Sequence, residues 1–436
     1  MGDNGKLGII VGGGPAPGIN SVIGAATIRS ALQQVDVVGI QDGFEGIMNG
    51  RTDGVRPLTI DDVSRIHFRG GSILGTSRAN PTSDPAYLEK TVDSLLEIGV
   101  SRLVTIGGDD TAFSAMKLVE RAGERIRVVH VPKTIDNDLD LPPEIDTFGF
   151  QTARHVGAEL VQNLMVDAFT TSRWYFIVAM GRKAGHLALG IGKAAGATLT
   201  LIPEEFGATR PIPLYDVVDT LAGAIIKRLR HGKRHGVAVI AEGVALSIDH
   251  EDLGSLDNVE RDAHGNVRIA EVDIGEILKR AVKDRLRGFG IDATVVAKDI
   301  GYELRCADPI PTDMEYTRDL GFCAAKYVLG GGNAAMVSMQ GGRFVPVPFA
   351  GLIDPQTGRA KVRLVDTNSA RYAIARRYMI RLRPDDLTDE NELARLAATA
   401  NTTPAGFREH FAYLMRNEPG PVDMGFPSSG RQRQGS

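Results

Sequence analysis

The chain's 436 residues suffice for two or three domains with a sizeable core, and 43% hydrophobic with 24% charged residues excludes wholesale disorder and fibrous architecture. Fifty Lys and Arg against 54 Asp and Glu leave a formal net charge of −4, without the basic excess of a nucleic-acid binder, so no nucleic-acid partner is expected and any basic site is local. Two cysteines, Cys306 and Cys323, no apolar run near about 18 residues and a polar start with no signal-peptide pattern predict a cytoplasmic protein with no membrane partner.

In chain order, short apolar runs predict buried strands at Leu7–Val11, Val35–Ile40, Leu103–Ile106, Val128–Val131, Trp174–Met180, Ala197–Ile202, Val237–Ala241 and Ala293–Ala297. Most are continuous rather than alternating, as in strands covered on both faces. Amphipathic stretches at Ala86–Ile98, Ala112–Arg121, Thr152–Ala168 and Tyr215–His231 predict helices between them. This βαβα alternation predicts an α/β protein with two doubly wound, Rossmann-like units. A polar excursion is expected at Asp249–Val272, a helical, polar segment after Asp385, and a tail without fixed structure over Asn417–Ser436.

Glycine, 51 of 436 residues, is enriched, which points to backbone that must approach something closely. In open α/β sheets ligands bind beyond the carboxyl ends of strands, and four such junctions stand out. The first reads GGGPAPGIN (Gly12–Asn20), a loop able to cradle a phosphate or simply to make a tight turn; it matches neither GxxxxGK[ST] nor GxGxxG. The second, GGDDT (Gly107–Thr111), sets Asp109 beside Asp110, a pair suited to a divalent cation or, singly, to capping the next helix. The third, PKTIDND (Pro132–Asp138), places one cation and candidate bases in a short loop, where turn chemistry alone also favours Asn and Asp. The fourth, MGRKAGHLAL (Met180–Leu189), offers a clamp for a phosphate or carboxylate, or merely a surface Arg/Lys pair.

Together with GGSILGTSR (Gly70–Arg78) and GYELR (Gly301–Arg305), these motifs occur in the order and rough spacing of the phosphofructokinase family, over about residues 6–321. The sequence resembles its pyrophosphate-dependent branch, because ATP-dependent relatives carry Gly where this chain has Asp110 and Lys133. The physics of the pair agrees with that branch. An Asp110 carboxylate about 4 Å from an ATP α-phosphate would cost on the order of 4 kcal/mol at an effective dielectric of 20, about a thousandfold in affinity. Lys133 can hold a small, highly charged pyrophosphate; the alternative is a salt bridge between the two residues.

The resemblance implies a division into a donor-binding domain (1–148 and about 306–365), a sugar-phosphate domain (149–305), a helical extension (366–416) and the tail (417–436), with the active site in the cleft between the two domains. It implies that Asp136 takes the proton from the 1-hydroxyl of fructose 6-phosphate with support from Asp138, that Asp109 holds Mg²⁺, and that Gly13, Gly14 and Lys133 bind pyrophosphate. Asp110 excludes ATP, and Arg78 stabilises the phosphoryl group in flight. Thr134, Ile135, Met180, Gly181, Arg182 and Glu242 line the sugar; Tyr302, Arg305 and Arg173, the last from a neighbouring subunit of a homodimer or homotetramer with shared sites, bind the 6-phosphate. Where ATP-dependent relatives have a second Arg, this chain offers Lys298, a point charge without the bidentate fork, which loosens selectivity among sugar phosphates. His186 is read as packing or a polar core contact. The expected reaction is reversible phosphoryl transfer from pyrophosphate to fructose 6-phosphate, in glycolysis or gluconeogenesis. ATP as donor, sedoheptulose 7-phosphate as acceptor, a silent regulatory subunit, and a lipid or dinucleotide kinase are the rivals.

Overall fold

A computed structural model describes residues 5–142, 145–207, 211–249, 252, 273–352 and 361–418. Its strands, in chain order, are β1 (Lys6–Val11), β2 (Val37–Ile40), β3 (Val55–Leu58), β4 (Val100–Gly107), β5 (Arg127–Pro132), β6 (Trp174–Ala179), β7 (Leu199–Leu201), β8 (Gly236–Ala241), β9 (Val295–Ile300), β10 (Ala335–Gln340) and β11 (Arg343–Pro348). The chain separates into two units. The first comprises Met1–Leu160, Ala179–Ile191 and Ile300–Arg363, the second Val161–Val178, Gly192–Asp299 and Leu364–Ser436.

The first unit holds a seven-stranded sheet ordered β11-β10-β5-β4-β1-β2-β3. Its five central strands run parallel, and β3 and β11 close the edges in antiparallel pairing. The continuous apolar runs are buried along their length, as strands sandwiched between helices require: after its first residue every position of β1 is buried, as is all of β2. From β1 the chain winds outward to β2 and β3 on one side and to β4 and β5 on the other. The order therefore reverses between β1 and β4, and the loops leaving their carboxyl ends are the two glycine-rich junctions. Three strands have no counterpart among the predicted runs. The segment VRPL of β3 carries Pro57 and an exposed centre, the pattern of an edge strand. The pair β10–β11 is a hairpin closed by Gly341 and Gly342, both with positive φ.

The second unit holds a four-stranded sheet ordered β7-β8-β6-β9. The helix Leu214–Arg230 buries eleven consecutive residues, Asp216–Ile226. Its two buried acids are paired: Arg285 grips Asp219 at 2.7 and 2.9 Å, and Arg416 reaches Asp216. Tyr413 donates to Asp219, and Arg376 pairs with the buried Glu205. These contacts explain why the segment after residue 364, expected as a separate extension, groups with this unit. The structure also groups 149–160, 179–191 and 300–305 with the first unit, where sequence had placed them in the second domain. The polar excursion expected at 249–272 and the tail expected after Asn417 lie almost wholly outside the described residues. Among the described residues, no helix is long and apolar enough to cross a membrane.

Candidate active site

The loop after β1 is built against its neighbours in the first unit. Gly12 donates to Ile106 O and Gly13 to Ser77 O, at 2.9 and 2.8 Å, which ties this loop to β4 and to the end of GGSILGTSR. The N–H of Gly13, expected at a phosphate, is thereby spent on Ser77; Gly14 N–H makes no backbone bond among the described residues. Gly13 has φ 80°, a conformation that disfavours a side chain, and a Cβ there would lie 3.6 Å from the Lys133 ammonium. Farther along, the buried Asn20 accepts from Ile73 N and donates to the carbonyls of Arg69 and Gly70, anchoring the start of GGSILGTSR.

The helix Asp109–Ala122 starts directly after β4, with Gly108 as its N-cap and no capping side chain. Asp109 and Asp110 therefore occupy the first turn, favoured by the helix dipole, and neither is the cap that sequence allowed. Asp109 pairs with Lys183. Burial works against the charge on Lys183, yet the Asp109 carboxylate holds its ammonium above the ordinary range. Asp110 is exposed. Partial shielding and the neighbouring Asp109 raise its carboxyl, against the opposing pull of Lys183 and Arg78.

Lys133 follows β5 and is only 5% exposed. Its N–H donates to Gly107 O at 2.8 Å and its ammonium to Gly14 O at 2.5 Å. It does not pair with Asp110, which removes the salt-bridge reading. Burial, with Arg305 and Arg78 nearby, lowers its pKa from 10.5 to about 8, against the pull of Asp136 and Asp138. Beneath it, the fully buried His130 bonds Thr105 Oγ1 at 2.9 Å and Gly107 O at 3.0 Å. Burial drives its imidazole down to about 3, so it stays neutral. Since Gly107 O only accepts, Nε2 carries the proton and Nδ1 accepts from the Thr105 hydroxyl.

The loop Thr134–Asp138 turns through Asn137 at φ 56°. The Thr134 hydroxyl accepts from Asp136 N at 3.0 Å and donates to Asp138 Oδ1 at 3.1 Å, so one side chain orients both candidate acids. Burial and Asp109 raise the Asp138 carboxyl. Ile135 is buried, and Asp136 half-buried.

Met180 donates through its N–H to Ile300 O, and a Cβ at Gly301 would strike the Met180 side chain at 2.8 Å; these packed backbones set the fourth junction against GYELR. Gly181, at φ 134°, turns the chain so that Arg182 and Lys183 are exposed. His186 bonds Arg363 O at 3.0 Å, the polar contact expected there as the alternative to packing. Arg305 stacks over the exposed Tyr302 ring at 4.5 Å, and its guanidinium lies 3.0 Å from where a Gly14 Cβ would stand, against the donor-side loop. Arg78 is exposed and within electrostatic reach of both Asp110 and Lys133.

The first unit thus brings together Gly13, Gly14, Arg78, Asp109, Asp110, Lys133, Thr134, Ile135, Asp136, Asp138, Met180, Gly181, Arg182, Tyr302 and Arg305. Arg173, Glu242 and Lys298 belong to the second unit. There Arg173 lies 3.9 Å from Asp167, Glu242 precedes the short helix Gly243–Ser247, and Lys298 is exposed on β9 beside exposed Asp299. Lys183, His130 and Arg363 are contributors that sequence reasoning did not assign. Lys183 stood within a quoted motif, whereas Arg363 carries no local signal.

Among the described residues no group of three or more Asp, Glu, His or Cys side chains is arranged to hold a metal ion. Asp109 and Asp138 are nonetheless close enough that Asp109 raises Asp138. One or two carboxylates with excess negative charge fit a Mg²⁺ that takes its remaining ligands from phosphate oxygens and water.

Comparison with known proteins adds the following. The sequence model of the family described as Phosphofructokinase matches residues 6–328. The chain is 53% identical over 411 residues to a pyrophosphate–fructose 6-phosphate 1-phosphotransferase of Thermotoga maritima, covering 93% of this chain and 98% of the relative. It is 49% identical over 418 residues to a protein of the same name from Naegleria fowleri, covering 94% and 96%. An ATP-dependent 6-phosphofructokinase of Natranaerobius thermophilus is 31% identical over 349 residues, covering 79% and 92%. Among solved structures, the pyrophosphate-dependent phosphofructokinase of Marinobacter aquaeolei superposes with a TM-score of 0.62 at 18% identity, over 97% of this chain and 95% of the other, a likeness of fold alone.

Proposed function

The chain belongs to the phosphofructokinase family, and from that premise we propose that it catalyses reversible phosphoryl transfer from pyrophosphate to the 1-hydroxyl of fructose 6-phosphate, giving fructose 1,6-bisphosphate and phosphate. One observation carries the choice of donor: the buried ammonium of Lys133, which donates to Gly14 O and lies 3.6 Å from where a Gly13 Cβ would stand, at a position where the family resemblance implies glycine in ATP-dependent enzymes. A cation kept out of water interacts strongly with a compact, highly charged anion, and its cost is justified only if such an anion arrives.

In this reading Lys133 and the Gly14 N–H hold pyrophosphate, and Lys133 stays with the leaving phosphate. Asp136 accepts the hydroxyl proton while Thr134 and Asp138 fix its place. Arg78 stabilises the phosphoryl group between donor and acceptor, an interaction that strengthens as charge spreads over its oxygens. Asp109 would hold Mg²⁺, which would supply positive charge against that of the donor phosphates. Thr134, Ile135, Met180, Gly181, Arg182 and Glu242 line the sugar, and Tyr302, Arg305, Arg173 and Lys298 take the 6-phosphate. Arg173 acts across a subunit boundary of a homodimer or homotetramer, and the enzyme works in the cytoplasm, in keeping with its two free cysteines.

The same exposed Lys298 that stands in for an Arg favours, as a second reading, a looser choice of sugar that admits sedoheptulose 7-phosphate. Steady-state assays crossing pyrophosphate and ATP with the two sugar phosphates test both statements. Activity with ATP and none with pyrophosphate would overturn the donor, and equal kcat/KM for the two sugars would replace the first reading with the second.

A further inference from the structure

The sequence between Asp136 and Asp138 contains a residue in the left-handed region, Asn137, whose backbone sets the angle between the two acids. Asn enters this region more readily than most side chains, and the contacts around it hold the turn there. Nearby in sequence, the Asn137 carboxamide accepts from Thr147 N at 2.9 Å and donates to Asp146 at 2.8 Å, and a further set of bonds comes from a side chain 226 positions away. The Arg363 guanidinium donates from Nε and Nη2 to Asn137 O at 3.2 and 3.1 Å, and from Nη2 also to the Asn137 carboxamide oxygen. Its Nη1 donates to Ile145 O at 2.7 Å and to Pro142 O at 3.3 Å. The main chain joins in. Arg363 N donates to Asp138 O at 2.8 Å, Val362 bridges Leu139 in antiparallel fashion, and Arg363 O receives His186 Nε2 from the fourth junction.

Among the described residues every hydrogen-bond partner of this guanidinium is a carbonyl or carboxamide oxygen, while Asp146, Asp138 and Asp140 act on its charge without bonding it, so its geometry serves to gather backbone. Arg is suited to this, because its rigid fork directs several N–H groups at once, whereas Lys is a single flexible point charge. Arg363 also lies beyond residues 6–328, the segment that the family match covers.

We propose that Arg363 is a positioning residue for phosphoryl transfer, locking the Thr134–Asp138 loop and, through His186, coupling it to the Met180–Leu189 junction. The proposal rests on the reading of Asp136 as the base. Without Arg363 the loop carbonyls lose their common donor, Asn137 keeps only its carboxamide bonds to Thr147 and Asp146 while its main chain is released, and Asp136 loses its angle toward the hydroxyl. Displacement of a catalytic group by about 1 Å costs on the order of 10²-fold in rate, while sugar contacts made elsewhere persist.

The test compares Arg363→Ala, Arg363→Lys and Asp136→Ala in the full-length protein, each with a circular-dichroism melt. The expected result for Arg363→Ala is a kcat lower by about 10²-fold with the KM for fructose 6-phosphate changed by less than about threefold. Millimolar guanidinium chloride restores turnover to Arg363→Ala but not to wild type, and Arg363→Lys stays impaired although it folds. A near-wild-type kcat in either Arg363 variant overturns the proposal, as does a loss that guanidinium does not rescue. Should Arg363→Ala fail to fold, the Lys variant decides alone. If Asp136→Ala keeps its turnover, the base assignment fails instead, whatever the Arg363 variants do.

Discussion

Replacing Lys133 by Met removes an ammonium that the fold holds at 5% exposure, and the consequences for stability and for activity have opposite signs. Lowering this lysine from 10.5 to about 8 means that the native state carries the charge at a cost of about 3 kcal/mol at neutral pH. Between pH 8 and 10.5 the unfolded chain binds the proton and the native protein does not, so wild-type stability rises with pH across that window. Lys133→Met should therefore be more stable than wild type at pH 7, by about 1–3 kcal/mol once the lost bond to Gly14 O is counted, and the gap should close by about pH 10.5. Its KM for pyrophosphate should rise about 10–100-fold, the value of a charge-assisted hydrogen bond of about 1.5–3 kcal/mol, with that for fructose 6-phosphate little changed. In wild type, kcat/KM for pyrophosphate should fall above about pH 8 as free Lys133 loses its proton. Denaturant melts at pH 7 and 10, paired with steady-state kinetics, measure all of this. A destabilised Met variant with an unchanged KM for pyrophosphate would refute the assignment.

Asp110→Gly should let ATP support measurable turnover. Because Asp110 is exposed, its repulsion of an ATP phosphate is nearer about 1–2 kcal/mol than the 4 kcal/mol of a shielded pair, so a gain of about 5–30-fold in ATP affinity is expected, and an ATP response equal to wild type would argue against the role. Asp136→Ala should lose about 10²–10⁴ in kcat while calorimetry still detects fructose 6-phosphate binding; loss of both would make Asp136 a structural acid. Chelation of divalent cations should stop turnover without lowering the melting temperature by much, since among the described residues no group of three or more Asp, Glu, His or Cys side chains is arranged to hold the metal.

The parallel core was legible because its strands are continuous apolar runs: Leu7–Val11 and Val128–Val131 can hardly be anything else in an α/β protein. The edges were not. The centre of β3 is Arg56 and Pro57, and the β10–β11 hairpin announces itself only through the Gly341–Gly342 pair, a turn signal easily lost in a glycine-rich chain. Within the site, the motifs named the loops because glycines, acids and cations cluster locally at strand ends. What they could not show is how those loops are tied together. Gly13 N–H turns out to be occupied by Ser77, Lys183 sits on Asp109, and Arg363 closes on Asn137 across 226 residues. Such pairings are set by the path of the chain, which no local pattern encodes.

The most direct measurement is phosphorus NMR of the protein with pyrophosphate, fructose 6-phosphate and Mg²⁺. The pyrophosphate resonance should give way to orthophosphate and a new sugar phosphate ester in equal amounts, and a sample begun from fructose 1,6-bisphosphate and orthophosphate should reach the same mixture. Two orthophosphates per pyrophosphate with no new ester, or a spectrum that changes only when ATP is added, would contradict the account.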